Sequence, residues 1–210
     1  GDLYYLNDKT KAPIFWYMMD MAPMTGGCHY AWDCTGYTRQ CGACPGIFSD
    51  NPKDKTNKNW KKKSAFIEKT NITPIAGSEW QYKQLKQSSL FKNKPHHKLL
   101  LPIDDRIFIP SDKITARKEF GLPLDKRLIF FGSVNANEYR KGFKELTTAL
   151  SLLSDDRSFT GNEDIHLVIA GKFNKELNEG LAYSHSFLGF LDHDRLAQAF
   201  NASDVFVCPS

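Results

Sequence analysis

The sequence lacks several features that would assign a protein to a class at once. None of the apolar runs in its 210 residues approaches the roughly 20 residues that a membrane-spanning helix requires. The glycine-rich phosphate-binding fingerprints G-x-G-x-x-G and G-x-x-x-x-G-K-[ST] are missing as well. The net charge is only +4, which is too small to predict nucleic-acid binding by itself. What remains is an ordinary globular composition, with 41% hydrophobic and 25% charged residues.

Cysteine is scarce and unevenly placed. Four of the five cysteines lie in a loop over residues 23–48, with the spacing C-x5-C-x6-C-x2-C: Cys28, Cys34, Cys41 and Cys44. An odd, clustered set favours a reducing compartment, and we expect a cytoplasmic protein. The C-x2-C pair is typical of zinc sites, and four thiolates would complete a tetrahedral structural site. The first two spacings are irregular, however, and four reduced thiols packed as small apolar side chains are the alternative.

His29 adjoins the first of these cysteines and has three interpretations. It replaces one cysteine as a metal ligand, it faces a substrate, or it is a plain structural histidine. The sequence does not choose between them.

One stretch in the second half reads as strand, loop and helix. The apolar run 128–134 predicts a buried parallel strand that Gly132 ends, and Ser133 begins the loop. Helical spacing then follows in Phe143, Leu146, Leu150 and Leu153. Arg140 and Lys141 lie at the start of this helix, where free backbone N–H groups and the positive dipole end favour phosphate. A solvated helix start is the alternative.

The remaining pattern is an alternation of strands and helices. Apolar runs predict strands at 12–18, 71–77, 98–103, 165–171, 186–191 and 205–207, and periodicity predicts helices at 78–90, 115–121 and 192–202. From residue 128 onward this alternation predicts an α/β fold with a doubly wound parallel sheet. The earlier half alternates less regularly. We place the domain boundary between residues 106 and 107, in a linker.

Asp20 follows the first predicted strand and precedes the long cysteine-rich loop. Ligands of open α/β sheets bind at this edge, so Asp20 is a candidate base or acceptor-side group. A turn or capping aspartate is the alternative.

Lysines crowd the segment after this loop. Lys53, Lys55, Lys58, Lys61, Lys62 and Lys63 surround Trp60, and Phe66 follows. A basic helix with aromatic side chains at its tip is typical of contact with an anionic membrane surface. An ordinary solvated helix face is the alternative.

The ordered set of short motifs resembles the retaining glycosyltransferases of family 4, the group 1 glycosyltransferases with the two-Rossmann-domain GT-B architecture. Within them it is similar to the bacterial group that builds cell-surface polysaccharides. The motifs are Met19-Asp20, Thr25–Tyr30, Cys41–Pro45, Gly77–Trp80, Pro102–Asp104 with Phe108 and Pro110, Phe131-Gly132, Arg140–Phe143, Ala170-Gly171 and Ala202–Ser210.

The resemblance implies roles for individual residues. Asp20 would lie near the transferring sugar or the acceptor. The donor diphosphate would contact Gly132, Ser133, Arg140 and Lys141, while Gly171, Phe190 and Leu191 would border the base and ribose. The donor would be a UDP-, GDP- or ADP-sugar and the acceptor a glycan or a lipid-linked sugar at the inner face of the plasma membrane. Neither a protein nucleophile nor a catalytic metal is expected, and no nucleic-acid partner.

Two departures from the family pattern matter. The residue before Asp20 is Met19, where the family often has histidine. The chain also ends at Ser210, before the family's glutamate-containing motif, and its front lacks the family's glycine-rich first strand-loop. We therefore expect a fragment, with both domains incomplete, that is inactive by itself.

Other functions fit parts of the pattern. A nucleotide-sugar epimerase of the same architecture, or a noncatalytic relative, would share most motifs. A zinc-stabilised binding module would use the lysine run to hold nucleic acid or an acidic partner, and would leave the α/β remainder without a purpose.

Overall fold

The computed structural model describes residues 2–172 and 181–210. The chain divides into two compact units, Gly1–Pro102 and Ile103–Ser210. Each unit is built around its own parallel sheet. This division lies four residues before the boundary placed from the sequence, between residues 106 and 107.

The first unit carries a three-stranded parallel sheet. Its described elements, in chain order, are α1 (Asp2–Thr10), β1 (Ile14–Met18), α2 (Lys55–Lys69), β2 (Ile72–Ala76), α3 (Glu79–Gln87) and β3 (His97–Lys98). The strand order is β1-β2-β3, and Ile14 to Met18 pair in register with Ile72 to Ala76. Met18, Met24, Ile72, Leu85 and Phe91 are buried in one core.

Two helices in this unit begin at a capping side chain. Asp54 caps α2 by accepting the N–H groups of Thr56 and Asn57, and Ser78 caps α3 by accepting the Gln81 N–H. Burial would raise the pKa of Asp54, but hydrogen bonds from Thr56, Asn57 and the Cys44 N–H outweigh it and lower the pKa to about 2.

The lysine-rich segment forms α2, but its aromatic residues do not lie at an exposed tip. Trp60 and Phe66 pack against the core, and the Trp60 indole donates to the Ser89 hydroxyl at 3.1 Å. Lys63 is also turned inward and donates to the carbonyls of Ala22 and Thr25 at 2.5 and 2.9 Å. Only the lysine part of the expected membrane-contact pattern therefore remains exposed. Among the described residues, no helix has the length and apolar character needed to cross a membrane.

The predicted strand over 98–103 is shorter than expected. It ends at Lys98, although the Leu99 N–H still donates to the Ala76 carbonyl. Leu100 and Leu101 are exposed, and Pro102 has no N–H to continue a ladder. An apolar run alone therefore overstated the pairing at this edge of the sheet.

The second unit carries a four-stranded parallel sheet of order β6-β5-β4-β7. Its described elements are α4 (Lys113–Glu119), β4 (Arg127–Asn135), α5 (Phe143–Asp155), β5 (Ile165–Lys172), β6 (Ser184–Gly189), α6 (His193–Ala202) and β7 (Val205–Phe206). The alternation also predicts a helix between β5 and β6; that position includes residues 173–180, which lie outside the described residues.

Helices cover both faces of this sheet. Phe131 and Leu167 face a core that includes Phe143 and Leu146 of α5. The neighbouring residues of the same strands point the other way, and Phe130 packs with α4 and α6. The sheet is therefore doubly wound, as the sequence predicts.

A buried charged network joins α4 to the sheet. Arg117 is only 4% exposed. Its guanidinium donates to Asp204 at 2.7 Å and to the Ala202 and Lys126 carbonyls. Asp204 in turn accepts the Leu128 N–H at 2.7 Å. Burial would raise the pKa of Asp204, but the Lys113 ammonium, the Leu128 N–H and the Arg117 guanidinium together hold it below its usual value.

Replacing Arg117 with alanine should lower the free energy of unfolding by about 3–5 kcal/mol, because Asp204 and several carbonyls lose their buried partner. Urea denaturation followed by circular dichroism measures this. Lys118→Ala, an exposed change on the same helix, should stay within about 0.5 kcal/mol of the parent. Equal effects of the two changes would contradict a structural role for the network.

Candidate functional site

A cavity of about 340 Å³ lies at the carboxyl edge of the second sheet. Its walls come from the ends of β4 and β5, the turns after them, α6 and β7: Gly132, Ser133, Val134, Lys141, Ala170, Gly171, Phe190, Leu191, Leu196, Phe200 and Phe206. The strand order reverses here, since β4 continues along the chain to β5 on one side and pairs with β7 on the other. Open α/β sheets bind ligands at such a reversal. We call this the second-unit cavity.

The backbones of β4 and β5 pack closely where they line the second-unit cavity. Gly171 has φ +114°, and a Cβ added there would lie 1.6 Å from the Ser133 carbonyl oxygen. The pairing of β4 with β5 shifts register between Gly132 and Asn135, next to this contact. Only glycine allows the two strand ends to approach so closely.

One cation faces the cavity. Lys141 ends the short turn Tyr139–Lys141, and Gly142, with φ +70°, then begins α5. Among the described residues that line the cavity, Lys141 alone carries a charge. The first N–H groups of α5 have no partners within the helix, so positive potential from the helix adds to the ammonium. An anion bound in the cavity would meet the Lys141 ammonium.

Arg140 is placed differently from the other predicted residues. It does not line the cavity, and its guanidinium forks onto the Glu138 carboxylate at 2.6 and 2.9 Å. Its positive charge is therefore largely offset by its neighbour.

The opposite wall is aromatic and apolar. Phe200 and Phe206 stack edge to face, with ring centroids 4.9 Å apart. Phe190 is 71% exposed, and its open ring stands beside Leu191 at the cavity. Exposed aromatic rings of this kind can stack on a planar ring. The cavity thus combines one cation with an apolar wall.

A second cavity, of about 290 Å³, lies at the carboxyl ends of β1 and β2 in the first unit. Its lining residues are Tyr17, Met18, Met19, Asp20, Met21, His29, Tyr30, Gly77, Ser78, Trp80, Gln81 and Leu101. We call it the first-unit cavity. It therefore occupies, in its own sheet, the same kind of edge as the second-unit cavity.

Asp20 and His29 form a pair in the first-unit cavity. The His29 Nδ1 lies 2.6 Å from an Asp20 oxygen, while the other Asp20 oxygen accepts the Ala22 N–H at 2.7 Å. Because an ionised carboxylate only accepts, Nδ1 is the donor of this hydrogen bond, and Nε2 is left for another partner. The backbone returns His29 to this place through a Met21 N–H bond to the His29 carbonyl, 2.9 Å long.

The four clustered cysteines also converge. Cys28, Cys34, Cys41 and Cys44 line one small cavity of about 30 Å³, and His29 does not. All four are free thiols. Burial raises the pKa of Cys41, and charge on the other three thiols would raise it further. Across residues 2–172 and 181–210, no three Cys, His, Asp or Glu side chains stand at the spacing of a metal site.

The predicted donor-binding residues and Asp20 thus lie in different cavities. The second-unit cavity gathers Gly132, Ser133, Lys141, Gly171, Phe190 and Leu191. Asp20 lies in the other unit.

Two features were missed by the sequence reasoning. The role of His29 was left undecided. Its pairing with Asp20 depends on a chain reversal that no local sequence pattern predicts. Phe200 and Phe206 form part of the aromatic wall, but their sequence patterns predict only ordinary core positions in a helix and a strand.

Comparisons with known proteins match part of this chain to a family. Residues 112–210 match the sequence model of the family Glycosyl transferases group 1. A search of curated proteins found no match.

Three solved structures are similar in fold. HepE of Anabaena, in complex with UDP and glucose, has a TM-score of 0.59 and 15% identity, covering 99% of this chain and 49% of its own. WaaG, a glycosyltransferase involved in lipopolysaccharide biosynthesis, has a TM-score of 0.55 and 16% identity, covering 82% and 49%. Sucrose-phosphate synthase from Thermosynechococcus elongatus has a TM-score of 0.53 and 20% identity, covering 73% and 38%.

The chain therefore spans less than half the length of each of these structures. Their likeness confirms the predicted α/β class, with the Rossmann-like parallel sheets of GT-B glycosyltransferases.

Gly171→Ala should destabilise the protein more than Gly121→Ala, by about 1–3 kcal/mol. Both glycines have positive φ, but a Cβ at Gly121 meets nothing within 4 Å, whereas one at Gly171 collides with Ser133. The control thus carries the left-handed strain alone, about 1–2 kcal/mol. Paired urea denaturation curves measure the difference. Equal destabilisation would mean that the strand ends are not held in this close approach.

Proposed function

We propose that this chain supplies the two Rossmann-like units of a glycosyltransferase that moves a sugar from a nucleotide-sugar donor to a glycan or lipid-linked acceptor, with retention. One observation carries the proposal. Six residues expected to contact the donor, from four separate segments, line a single cavity at the carboxyl edge of the second sheet. That sheet lies in the part matched by the glycosyltransferase family.

The charge of the second-unit cavity suits a diphosphate. Lys141 provides the ammonium, and the N-terminal end of α5 adds backbone N–H groups and positive potential. Gly132 and Ser133 bring backbone close to the same region. Because Arg140 is paired with Glu138, we assign the main role to Lys141.

The apolar wall suits a nucleoside. The exposed ring of Phe190 offers a stacking surface for a base, with Leu191 beside it. Gly171 also lines this cavity and would border the ribose. HepE, whose fold is similar, was solved with UDP and glucose, and this supports a nucleoside diphosphate as the ligand.

The same cation would assist the reaction. When the bond from the sugar C1 to the diphosphate breaks, negative charge grows on the departing diphosphate, and a fixed ammonium stabilises it. The acceptor oxygen then bonds to C1 on the face that the diphosphate leaves, and the diphosphate takes up the acceptor proton.

We assign the Asp20–His29 pair to the sugar and acceptor side. Asp20 holds the imidazole through Nδ1, which directs the Nε2 atom toward hydrogen bonding with a hydroxyl group. Trp80 and Tyr30 also line this cavity, and aromatic faces are suitable walls for sugar rings. His29 would then supply the imidazole that the family often has in place of Met19.

Two observations support the proposed class of acceptor. WaaG acts in lipopolysaccharide biosynthesis, and α2 exposes Lys55, Lys58, Lys61 and Lys62. These lysines would attract an anionic lipid surface. We therefore propose a bacterial, cytoplasmic enzyme of polysaccharide biosynthesis that meets the inner face of the plasma membrane.

The first test is calorimetric titration with UDP, GDP and ADP. One nucleotide should bind, and Lys141→Ala should weaken that binding about tenfold to hundredfold, the effect of losing a charged hydrogen bond. Lys144→Ala removes an equal charge three residues away, from an exposed position on α5, and should change affinity by less than about twofold. If none of the three nucleotides binds the folded chain, or both variants weaken binding equally, the donor assignment is wrong.

The second test concerns the Asp20–His29 pair. Because the chain spans 49% of HepE, the assay uses these 210 residues with any sequence that flanks them. Asp20→Asn and His29→Ala should each lower kcat about tenfold to hundredfold, the effect of losing a hydrogen bond that orients a sugar or acceptor hydroxyl. The Kd of the nucleoside diphosphate should not change, since the pair does not line the second-unit cavity. Unchanged kcat would remove the pair from the mechanism, and NMR of the first-formed product would report whether the anomeric configuration is retained.

A further inference from the structure

We propose that Cys28, Cys34, Cys41 and Cys44 bind a structural zinc ion. These thiols come from a loop 17 residues long, yet all four line one cavity of about 30 Å³. A cavity that can hold a water-sized probe has room for a single ion of this size. Four thiols without other ligands are the donor set of structural zinc.

The surrounding backbone is arranged to support thiolates. The Gly26 N–H donates to the Cys41 sulfur at 3.1 Å, and the Gly36 N–H to the Cys34 sulfur at 3.5 Å. Hydrogen bonds to the charged form of a ligand favour that form and orient it toward a metal. The Lys63 ammonium also lies within electrostatic reach of Cys41 and Cys28, and offsets part of the negative charge.

Residues at the start of α2 hold the C-x2-C turn, Cys41 to Cys44, in place. Asp54 accepts the Cys44 N–H at 3.0 Å, and the Asn57 side chain donates to the Cys41 carbonyl at 2.6 Å. Both partners belong to the first turn of α2 and its cap. The two cysteines are therefore fixed by a helix of the fold rather than by the loop itself.

The loop has little else to hold it. Between Cys28 and Pro52, the buried apolar residues are Ala31 and Tyr37, and regular structure is limited to turns of three residues. Small segments with so little core usually need a disulfide or a metal. The thiols are free, so a metal would add to the hydrogen bonds that Asp54 and Asn57 form with the loop.

His29 is not a ligand in this arrangement. Its Nδ1 is engaged by Asp20, and it lies outside the thiol cavity. Without an ion the thiols do not reach metal-ligand spacing among the described residues. Bound zinc would require the sulfur atoms to move closer together, to about 2.3 Å from the metal.

The site has a consequence for the neighbouring cavity. Cys28 directly precedes His29, and the Thr25 hydroxyl donates to the Cys28 carbonyl at 2.9 Å. A metal bound to Cys28 would thus fix the chain reversal that returns His29 to Asp20.

Metal analysis tests the proposal on the chain itself. Purified from zinc-supplemented cells without chelator, it should contain about one zinc per chain. Cys41→Ser and Cys44→Ser should lose most of this zinc and melt at a lower temperature. Cys208→Ser is the matched control, because Cys208 is exposed and stands apart from the cluster, and it should retain the full content.

Cobalt substitution makes the test independent of whether the variants fold. Co²⁺ added to the chelator-treated parent chain should give thiolate-to-metal charge-transfer absorption and the intense visible bands of tetrahedral coordination. A folded parent chain that binds neither metal would overturn the proposal. So would zinc that Cys41→Ser retains, cobalt spectra without thiolate bands, or disulfides among these four cysteines in chain isolated without reductant.

Discussion

Parallel pairing of β4 with both β5 and β7 is the constraint on which the second unit depends. Parallel strands end at the same edge of a sheet, so the turns that follow them are forced together. Helices cover both faces of β4, which is why its run from Leu128 to Phe131 is apolar on both faces. The second-unit cavity is lined by these strand ends and by the turns that follow them.

Among the described residues, few charged side chains line the second-unit cavity. Lys141 stands alone among the charged groups of its described lining, while nearby charges neutralise one another. Arg140 is matched by Glu138, and the buried Arg117 is matched by Asp204 away from the cavity. A bound anion would therefore meet one uncompensated cation in a largely apolar surrounding, where its attraction is stronger than in water.

In the first unit, the main question is what stabilises the long loop after β1. This loop has too few apolar residues to form a core of its own, and polar contacts take that role. Asp54 links the start of α2 to Cys44, and Lys63 holds the carbonyls of Ala22 and Thr25. The same contacts deliver Asp20 and His29 to the edge of the sheet. Stability of the loop and geometry of the first-unit cavity are thus coupled.

The sequence by itself determined the fold class, the order of the main strands and helices, and most of the residues at the second-unit cavity. Apolar runs, helical spacing and capping residues such as Ser78 act locally, so they can be read from neighbouring positions. The helix α1 went unpredicted, because its mostly polar sequence lacks a strong periodic pattern. Tertiary structure decided the rest: Arg140 turns to Glu138, Trp60 packs inward, β3 stops at Lys98, and His29 reaches Asp20. Those outcomes depend on contacts between segments distant in the chain or on competing partners, and only packing of the complete units chooses among them.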